Sequence, residues 1–169
     1  MSRENFVKAI PFTIEHEGYR SKDVWGGVTI FGIASKYHPE LVAMLDKMPR
    51  TDALIAATEF YYTDYWIPAH CDDMPMRASI VVFDCAVNPG IGRAVQFIQR
   101  AVNVPDDGVF GKVTKHAVEN YSDMHLVLKI LDERRRYYQQ KVIETPEKSI
   151  YLKGWLNRCD ALEEYVREM

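Results

Sequence analysis

A run of apolar residues near the middle of the chain limits the folds that are open to it. Residues 77–87 are apolar on nearly every side of a helix, and Asn88-Pro89-Gly90 ends the run. A helix that is apolar all round has to be enclosed by other elements. We therefore expect this helix to lie buried at the centre of the fold.

Helical periodicity also dominates the rest of the chain. Apolar residues at helical spacing predict a first helix that ends near Gly18. A later helix is expected to begin with a cap at Thr51 or Asp52, and a short helical turn is expected to stop before Pro39. Further helices are predicted over 91–104, 114–121, 123–144 and 147–166.

The convincing strand signal surrounds Gly26-Gly27, a pair that is typical of a tight turn between two strands. The predicted fold is therefore mainly α, with a helical-bundle lobe and one small β-hairpin after the first helix. A chain of 169 residues can bury the core that this fold needs.

The charge of the chain excludes some partners. Its formal net charge is −3, whereas nucleic-acid binding usually requires a basic face, so no nucleic-acid partner is expected. The basic run Arg134-Arg135-Arg136 is interpreted as a solvated helix face. No apolar stretch is long enough to insert into a membrane, and no signal peptide is expected at the start of the sequence.

Three cysteines stand far apart in the sequence, at Cys71, Cys85 and Cys159. They form no C-x-x-C pair, which argues against a zinc site or a redox motif, and their odd number argues against a disulfide framework. Reduced thiols, no metal and no cofactor are expected. We also expect a monomer.

The segment after the first helix carries candidate chemistry. Glu17 ends the helix, Gly18 permits a sharp turn, and the hairpin that follows carries Asp23 and Thr29. Glycoside hydrolysis needs a carboxyl group that can donate a proton and a second polar group that stabilises the transition state or positions water. A glutamate at a helix end is more often just a solvated charge, so the spacing alone leaves the function open.

Longer motifs make this segment more specific. In order along the chain they read Glu17-Gly18-Tyr19, Gly26-Gly27-Val28-Thr29, Gly32-Ile33, Tyr65-Trp66, Phe83-Asp84-Cys85-Ala86-Val87-Asn88-Pro89-Gly90 and Lys153-Gly154-Trp155-Leu156-Asn157-Arg158. This order resembles glycoside hydrolase family 108, a group of N-acetylmuramidases or secretion activators. The resemblance implies a lysozyme-like α+β fold and covers nearly the whole chain.

The sequence departs from the family pattern in two places. The double glycine of the family is a single one at Gly18, and the loop before Gly26 is shorter. Glu15 is therefore a rival for the catalytic position, because it keeps the ungapped distance to Thr29. Glu17 is preferred because it directly precedes Gly18-Tyr19.

The resemblance also implies roles for individual residues. Glu17 would be the general acid, Thr29 would orient a water molecule, and Asp23 would stabilise positive charge or act as a base. Residues expected to contact sugar rings or their substituents are Trp25, Tyr61, Tyr65 and Asn88. For Tyr61 and Tyr65, packing in the core is the alternative interpretation.

The resemblance divides the chain into a lysozyme-like catalytic region over 1–76 and a helical lobe over 77–169. The second resembles a peptidoglycan-binding domain and is expected to share one core with the first. The implied function is cleavage of the β-1,4 bond between N-acetylmuramic acid and N-acetylglucosamine in peptidoglycan.

Two other functions stay open. One is a lytic transglycosylase, and the other is a non-catalytic wall-binding or phage structural protein. The protein is expected to be made in the cytoplasm and to reach the cell wall after release by a holin or a similar device, as a phage or prophage endolysin or as a muramidase that aids protein release.

Overall fold

The structure is a computed structural model that describes residues 3–23 and 27–169, without the side chain of Asp23. Eight α-helices are present in this part of the chain: α1 Glu4–Glu17, α2 Pro39–Asp46, α3 Arg50–Tyr61, α4 Met76–Val87, α5 Ile91–Ala101, α6 Lys112–Val118, α7 Asp123–Glu144 and α8 Ser149–Arg167. Among the described residues no helix is both long and apolar enough to cross a membrane.

A small antiparallel sheet follows α1, as predicted. Its strands are β1 Arg20–Asp23, β2 Gly27–Ile30 and β3 Ile33–Ala34, in the order β1-β2-β3. The predicted hairpin is β1 and β2, with Ser21 opposite Thr29. The short third strand adds one more pairing, Thr29 with Ala34. The mainly α fold with a small β element after the first helix is confirmed.

Helix α4 forms the centre of the fold. Every residue from Ala78 to Ala86 is buried, as the apolar run predicts. The helix packs against α1 on one side and against α5, α7 and α8 on others. One hydrophobic cluster extends from Phe6 in α1 to Val166 in α8. The first and last helices therefore contribute to the same core.

The start of α4 is held by a residue from a distant helix. Asp123, the first residue of α7, accepts hydrogen bonds from the backbone N–H groups of Arg77 (2.9 Å) and Ala78 (2.8 Å). The first N–H groups of a helix have no partner within it, so a carboxylate there stabilises the helix start.

The short turn predicted before Pro39 is present, with the N–H of His38 donating to the carbonyl oxygen of Ala34 (3.0 Å). Pro39 then begins α2, because a first-turn residue needs no N–H donor.

The predicted cap of the next helix is wrong. Helix α3 begins at Arg50 after Pro49, and no side chain caps it, so neither Thr51 nor Asp52 has the predicted role.

The interpretation of Arg134-Arg135-Arg136 as a solvated face is wrong for its first member. Arg134 is 0% exposed and forms an ion pair with Asp84, while Arg136 is exposed. A guanidinium this deeply buried requires a carboxylate partner, because an unpaired buried charge is strongly unfavourable. The charge of Asp84 on α4 thus allows α7 to pack a cation into the core.

Candidate active site

Glu17 is the last residue of α1, and the chain leaves the helix at Gly18 with a φ of 72°. Its side chain is 20% exposed. Arg158 Nη1 lies 2.8 Å from Glu17 Oε1, in an ion pair that lacks hydrogen-bond alignment. Among the described residues Oε1 has no hydrogen-bond partner. This oxygen is therefore attracted by the guanidinium of Arg158, but it can still carry a proton or accept a hydrogen bond.

Arg158 is fixed by a second carboxylate. Its Nη2 donates to Asp84 Oδ1 (2.7 Å) and its Nε donates to Asp84 Oδ2 (3.1 Å). Such a two-point contact sets the plane of the guanidinium as well as its position. The third nitrogen, Nη1, is thereby directed at Glu17. Arg158 lies in α8 and Asp84 in α4, so three helices meet at this contact.

Asp84 is 1% exposed and ionised. Its Oδ2 also accepts a hydrogen bond from Arg134 Nη1 (2.7 Å), and Thr13 Oγ1 lies 3.3 Å from its Oδ1. Burial raises the pKa of Asp84, but the charges of Arg134 and Arg158 outweigh burial and hold the pKa at about 2. Burial lowers the pKa of Arg158, but the negative charges of Asp84 and Glu17 outweigh burial and raise this pKa above its ordinary value.

Gly32 lies against the side chain of Glu17. A Cβ added to Gly32 would stand 2.8 Å from the Cβ, the Cγ and the Oε2 of Glu17. Gly32 also has a φ of 81°, which residues with a side chain rarely adopt. The family motif Gly32-Ile33 thus has a physical reason here, because only glycine leaves room for the carboxyl group.

Replacing Gly32 with alanine should therefore displace Glu17 and lower the kcat of any reaction that depends on this carboxyl group by about a hundredfold, as a misplacement of about 1 Å does. Gly90→Ala is the matched control, because Gly90 also has a positive φ but has no atom within 4 Å of an added Cβ. Steady-state kinetics and thermal unfolding of both variants separate displacement from backbone strain. Equal kcat values in the two variants would contradict this role of Gly32.

The aromatic residues differ in exposure. Tyr61 is 1% exposed, and its hydroxyl donates to the carbonyl oxygen of Phe31 (2.6 Å), so its ring packs in the core and offers no face to a sugar. This corrects its assignment as a sugar-binding residue. Tyr65 is partly exposed, and burial first, then the charges of Asp64 and Glu17, raise its pKa. Tyr65 thus lies near Glu17 and stays a candidate.

The hairpin carries the candidates for the second catalytic group. Thr29 is partly exposed, and its Oγ1 lies 2.5 Å from Ser21 Oγ on the neighbouring strand. Asp23 pairs through its backbone with Gly27, but its side chain lies outside the described residues. Trp25 also lies outside them. The structure therefore describes Thr29 alone of these three candidates in full.

Asn88 is exposed at the end of α4 and connects to the same charge network. Its Oδ1 accepts a hydrogen bond from the hydroxyl of Tyr138 (2.6 Å), and Arg134 Nε donates to that hydroxyl (3.2 Å). The Tyr138 ring stacks on Trp155 at 4.9 Å. The hydroxyl of Tyr138 thus fixes the side chain of Asn88, and the exposed position of Asn88 leaves it available to a ligand.

The rival glutamate has different surroundings. Glu15 is exposed, and its charge contributes to raising the pKa of Tyr165, after burial. Glu17 instead contacts Arg158 and Gly32. The site geometry favours Glu17 as the reactive carboxyl group.

Sequence reasoning missed several residues of this site. In the sequence, Arg158 stands out only as the last member of a motif, and the run that contains Arg134 predicts a solvated face. Neither Ser21 nor the contact of Gly32 with Glu17 has a sequence signal. Periodicity gives no signal for contacts between residues so far apart, and only the position of Arg158 in a family motif pointed to it.

The described residues contain no group of three or more histidine, cysteine, aspartate or glutamate side chains suited to a metal ion. The three cysteines are free and buried.

Two models of known families match the regions that contain the residues of this site. The model of the family Glycosyl hydrolase 108 matches residues 10–90, which include Glu17, Thr29, Gly32 and Asp84. Residues 10–90 are thus similar to the glycosyl hydrolase 108 family. A second model, Predicted Peptidoglycan domain, matches residues 93–160, which include Arg134 and Arg158. The resemblance stated from the sequence is confirmed.

Solved structures agree with this assignment. The structure described as "Structure of Brucella abortus SagA" superposes with a TM-score of 0.80 at 26% sequence identity, covering 99% of this chain and 96% of that one. No curated protein matches the chain significantly. The two family regions support a peptidoglycan hydrolase of the glycoside hydrolase type.

The ion pair between Glu17 and Arg158 joins the two family regions. Glu17 and Asp84 lie within 10–90, whereas Arg158 and Arg134 lie within 93–160. The peptidoglycan domain region thus completes the surroundings of the candidate acid.

Proposed function

We propose that the protein is an N-acetylmuramidase that hydrolyses the β-1,4 bond between N-acetylmuramic acid and N-acetylglucosamine, with Glu17 as its general acid. The observation that carries this proposal is the position of Glu17. It is a partly exposed carboxyl group at a helix end, with an oxygen that lacks a hydrogen bond among the described residues and a fixed guanidinium beside it.

The first step is proton donation from Glu17 to the oxygen of the glycosidic bond as that bond breaks. Donation leaves a carboxylate on Glu17. Arg158 stands ready to stabilise it, because Asp84 already holds the guanidinium in place and no reorganisation is needed as the charge forms.

The second step requires water on the opposite side of the sugar. The hydroxyl groups of Thr29 and Ser21 form a polar pair on the hairpin, which suits a role in positioning that water. Asp23 is proposed to stabilise the positive charge that develops on the sugar or to act as the base. Tyr65 and Asn88 are proposed to contact the glycan, and Trp25 is a further candidate.

The reducing ends released from purified peptidoglycan test this proposal. Each hydrolysed glycosidic bond creates one new reducing end, and clearing of the suspension should rise in parallel. A lytic transglycosylase would clear the suspension without new reducing ends, because it leaves an anhydro sugar. Binding without clearing would indicate a non-catalytic wall-binding protein. Either result would contradict the muramidase proposal.

Arg158→Lys tests the proposed role of the guanidinium. Lysine keeps the charge but loses the two-point contact with Asp84, so the charge is no longer fixed beside Glu17. We expect kcat to fall about tenfold to a hundredfold with a small change in KM, because the interaction matters most after proton donation. Arg135→Lys is the control, because Arg135 lies in α7 and pairs with Asp160 and Glu163 instead of Asp84 and Glu17. A loss confined to KM would contradict this role.

The proposal extends to the biological setting. A phage or prophage endolysin, or a muramidase that aids protein release, would be made in the cytoplasm and reach the wall through a holin or a similar device. Expression in a bacterial host with and without a holin tests this. Lysis that needs the holin supports the endolysin role, and lysis without one contradicts this route.

A further inference from the structure

A cavity of about 590 Å³ lies between α5 and α7, away from the candidate active site. None of the residues assigned to that site lines it. Its walls carry five cationic side chains, from Arg93, Arg100, Arg136, Lys141 and Lys148. Because the whole chain has a net charge of −3, this positive charge is a local feature.

Three of these cations, from Arg93, Lys141 and Lys148, have no acidic partner among the described residues. Arg100 is paired with Asp106 at 2.5 Å and Arg136 with Glu133 at 2.6 Å, so their charges are partly neutralised. Glu144, the other acidic residue of the cavity, accepts a hydrogen bond from Gln140. Within residues 3–23 and 27–169, no ion pair involves Arg93, Lys141 or Lys148.

An aromatic ring holds two of the unpaired cations at the cavity wall. The guanidinium of Arg93 lies 4.8 Å from the centroid of the Tyr137 ring, and Lys141 Nζ lies 5.2 Å from it. Lys141 Nζ also donates to the Tyr137 hydroxyl at 3.1 Å. A ring face stabilises a nearby cation without neutralising its charge. Both cations therefore keep their attraction for an anion.

We propose that this cavity binds carboxylate groups of the peptide stems of peptidoglycan. The proposal rests on the proposed function, which makes peptidoglycan the substrate. The N-acetylated amino groups of the glycan are neutral, whereas the stem peptides carry carboxylates. A planar guanidinium matches a carboxylate at two points, and a cavity of this volume has room for a short peptide. The cavity lies in the region that matches the peptidoglycan domain.

Binding is measured by calorimetry on the full chain carrying Glu17→Gln, so that the ligand is not cleaved. The probe is a disaccharide-peptide from peptidoglycan, and the matched probe is the same compound with its peptide carboxyl groups converted to amides. The free carboxylates should bind more tightly, and higher salt should weaken that preference. Adding Arg93→Gln and Lys141→Gln should weaken binding of the carboxylate probe about threefold to tenfold and leave the amide probe unchanged.

Lys47→Gln with Lys153→Gln is the control, since both lysines are exposed and neither lines the cavity. The control variant should bind both probes as the parent does. Equal affinity for the two probes, or equal losses in the two double variants, would overturn the proposal. Failure here is distinguishable from failure of the proposed function, because hydrolysis by the wild type is measured separately. A preference for the carboxylate probe in a protein that never clears peptidoglycan would support the cavity and contradict the muramidase.

Discussion

Replacing Glu17 with glutamine should lower kcat on purified peptidoglycan by about a thousandfold, because glutamine cannot donate the proton that the leaving oxygen needs. The change keeps the size of the side chain, so the close contact with Gly32 is preserved. Arg158 keeps its two hydrogen bonds to Asp84. Thermal unfolding should therefore stay close to that of the wild type.

Glu15→Gln is the matched control for this experiment. It makes the same chemical change two residues earlier, on an exposed side chain outside the charge network. We expect kcat close to the wild-type value. If Glu15→Gln loses activity and Glu17→Gln keeps it, the shorter turn at Gly18 has shifted the catalytic position, and the assignment of Glu17 is wrong.

Replacing Asp84 with alanine should lower the free energy of unfolding by about 3–5 kcal/mol, the cost of removing one partner from a buried ion pair. The loss would leave Arg134, which is 0% exposed, without its carboxylate, and would release Arg158 from its two-point contact. Denaturant unfolding measures the effect. Asp106→Ala, which breaks an exposed pair with Arg100, should lower the same quantity far less, because solvent screens that pair.

The pH dependence gives a second readout for Asp84. Its pKa in the folded protein is about 2, below the ordinary value of 3.8. A carboxyl group with a lowered pKa stabilises the fold fully above its ordinary pKa, and this stabilisation is lost as the pH falls through the folded value. The wild type should therefore lose stability between pH 3.8 and about 2, and Asp84→Asn should lose less over that range. Parallel curves would contradict the ionised state of Asp84.

The sequence predicts the helices and the hairpin because both depend on local periodicity. The apolar run before Asn88 placed the central helix to within one residue of Met76–Val87. The error concerns Thr51 and Asp52, because a polar residue near a helix start is compatible with more than one local structure. Such choices depend on packing, which a single segment does not encode.

The candidate site is only partly predictable for the same reason. Glu17 and Thr29 lie close together in the chain, so motif spacing identifies them. Arg158 lies far from Glu17 in the sequence, and its role depends on α4 presenting Asp84 between them. Arginine is usually a surface residue, and Arg134 is buried only because the carboxylate of Asp84 pairs with it.

The most direct test of the central claim is to digest purified peptidoglycan with the wild-type protein, reduce the soluble products with borohydride and identify the sugar at each new end by mass spectrometry. A muramidase produces N-acetylmuramic acid at the reducing end, so reduced muramic acid is the result that we predict. Reduced N-acetylglucosamine would show that the other glycosidic bond is cleaved. An anhydromuramic end that resists reduction would show a transglycosylase, and either result would contradict the proposal.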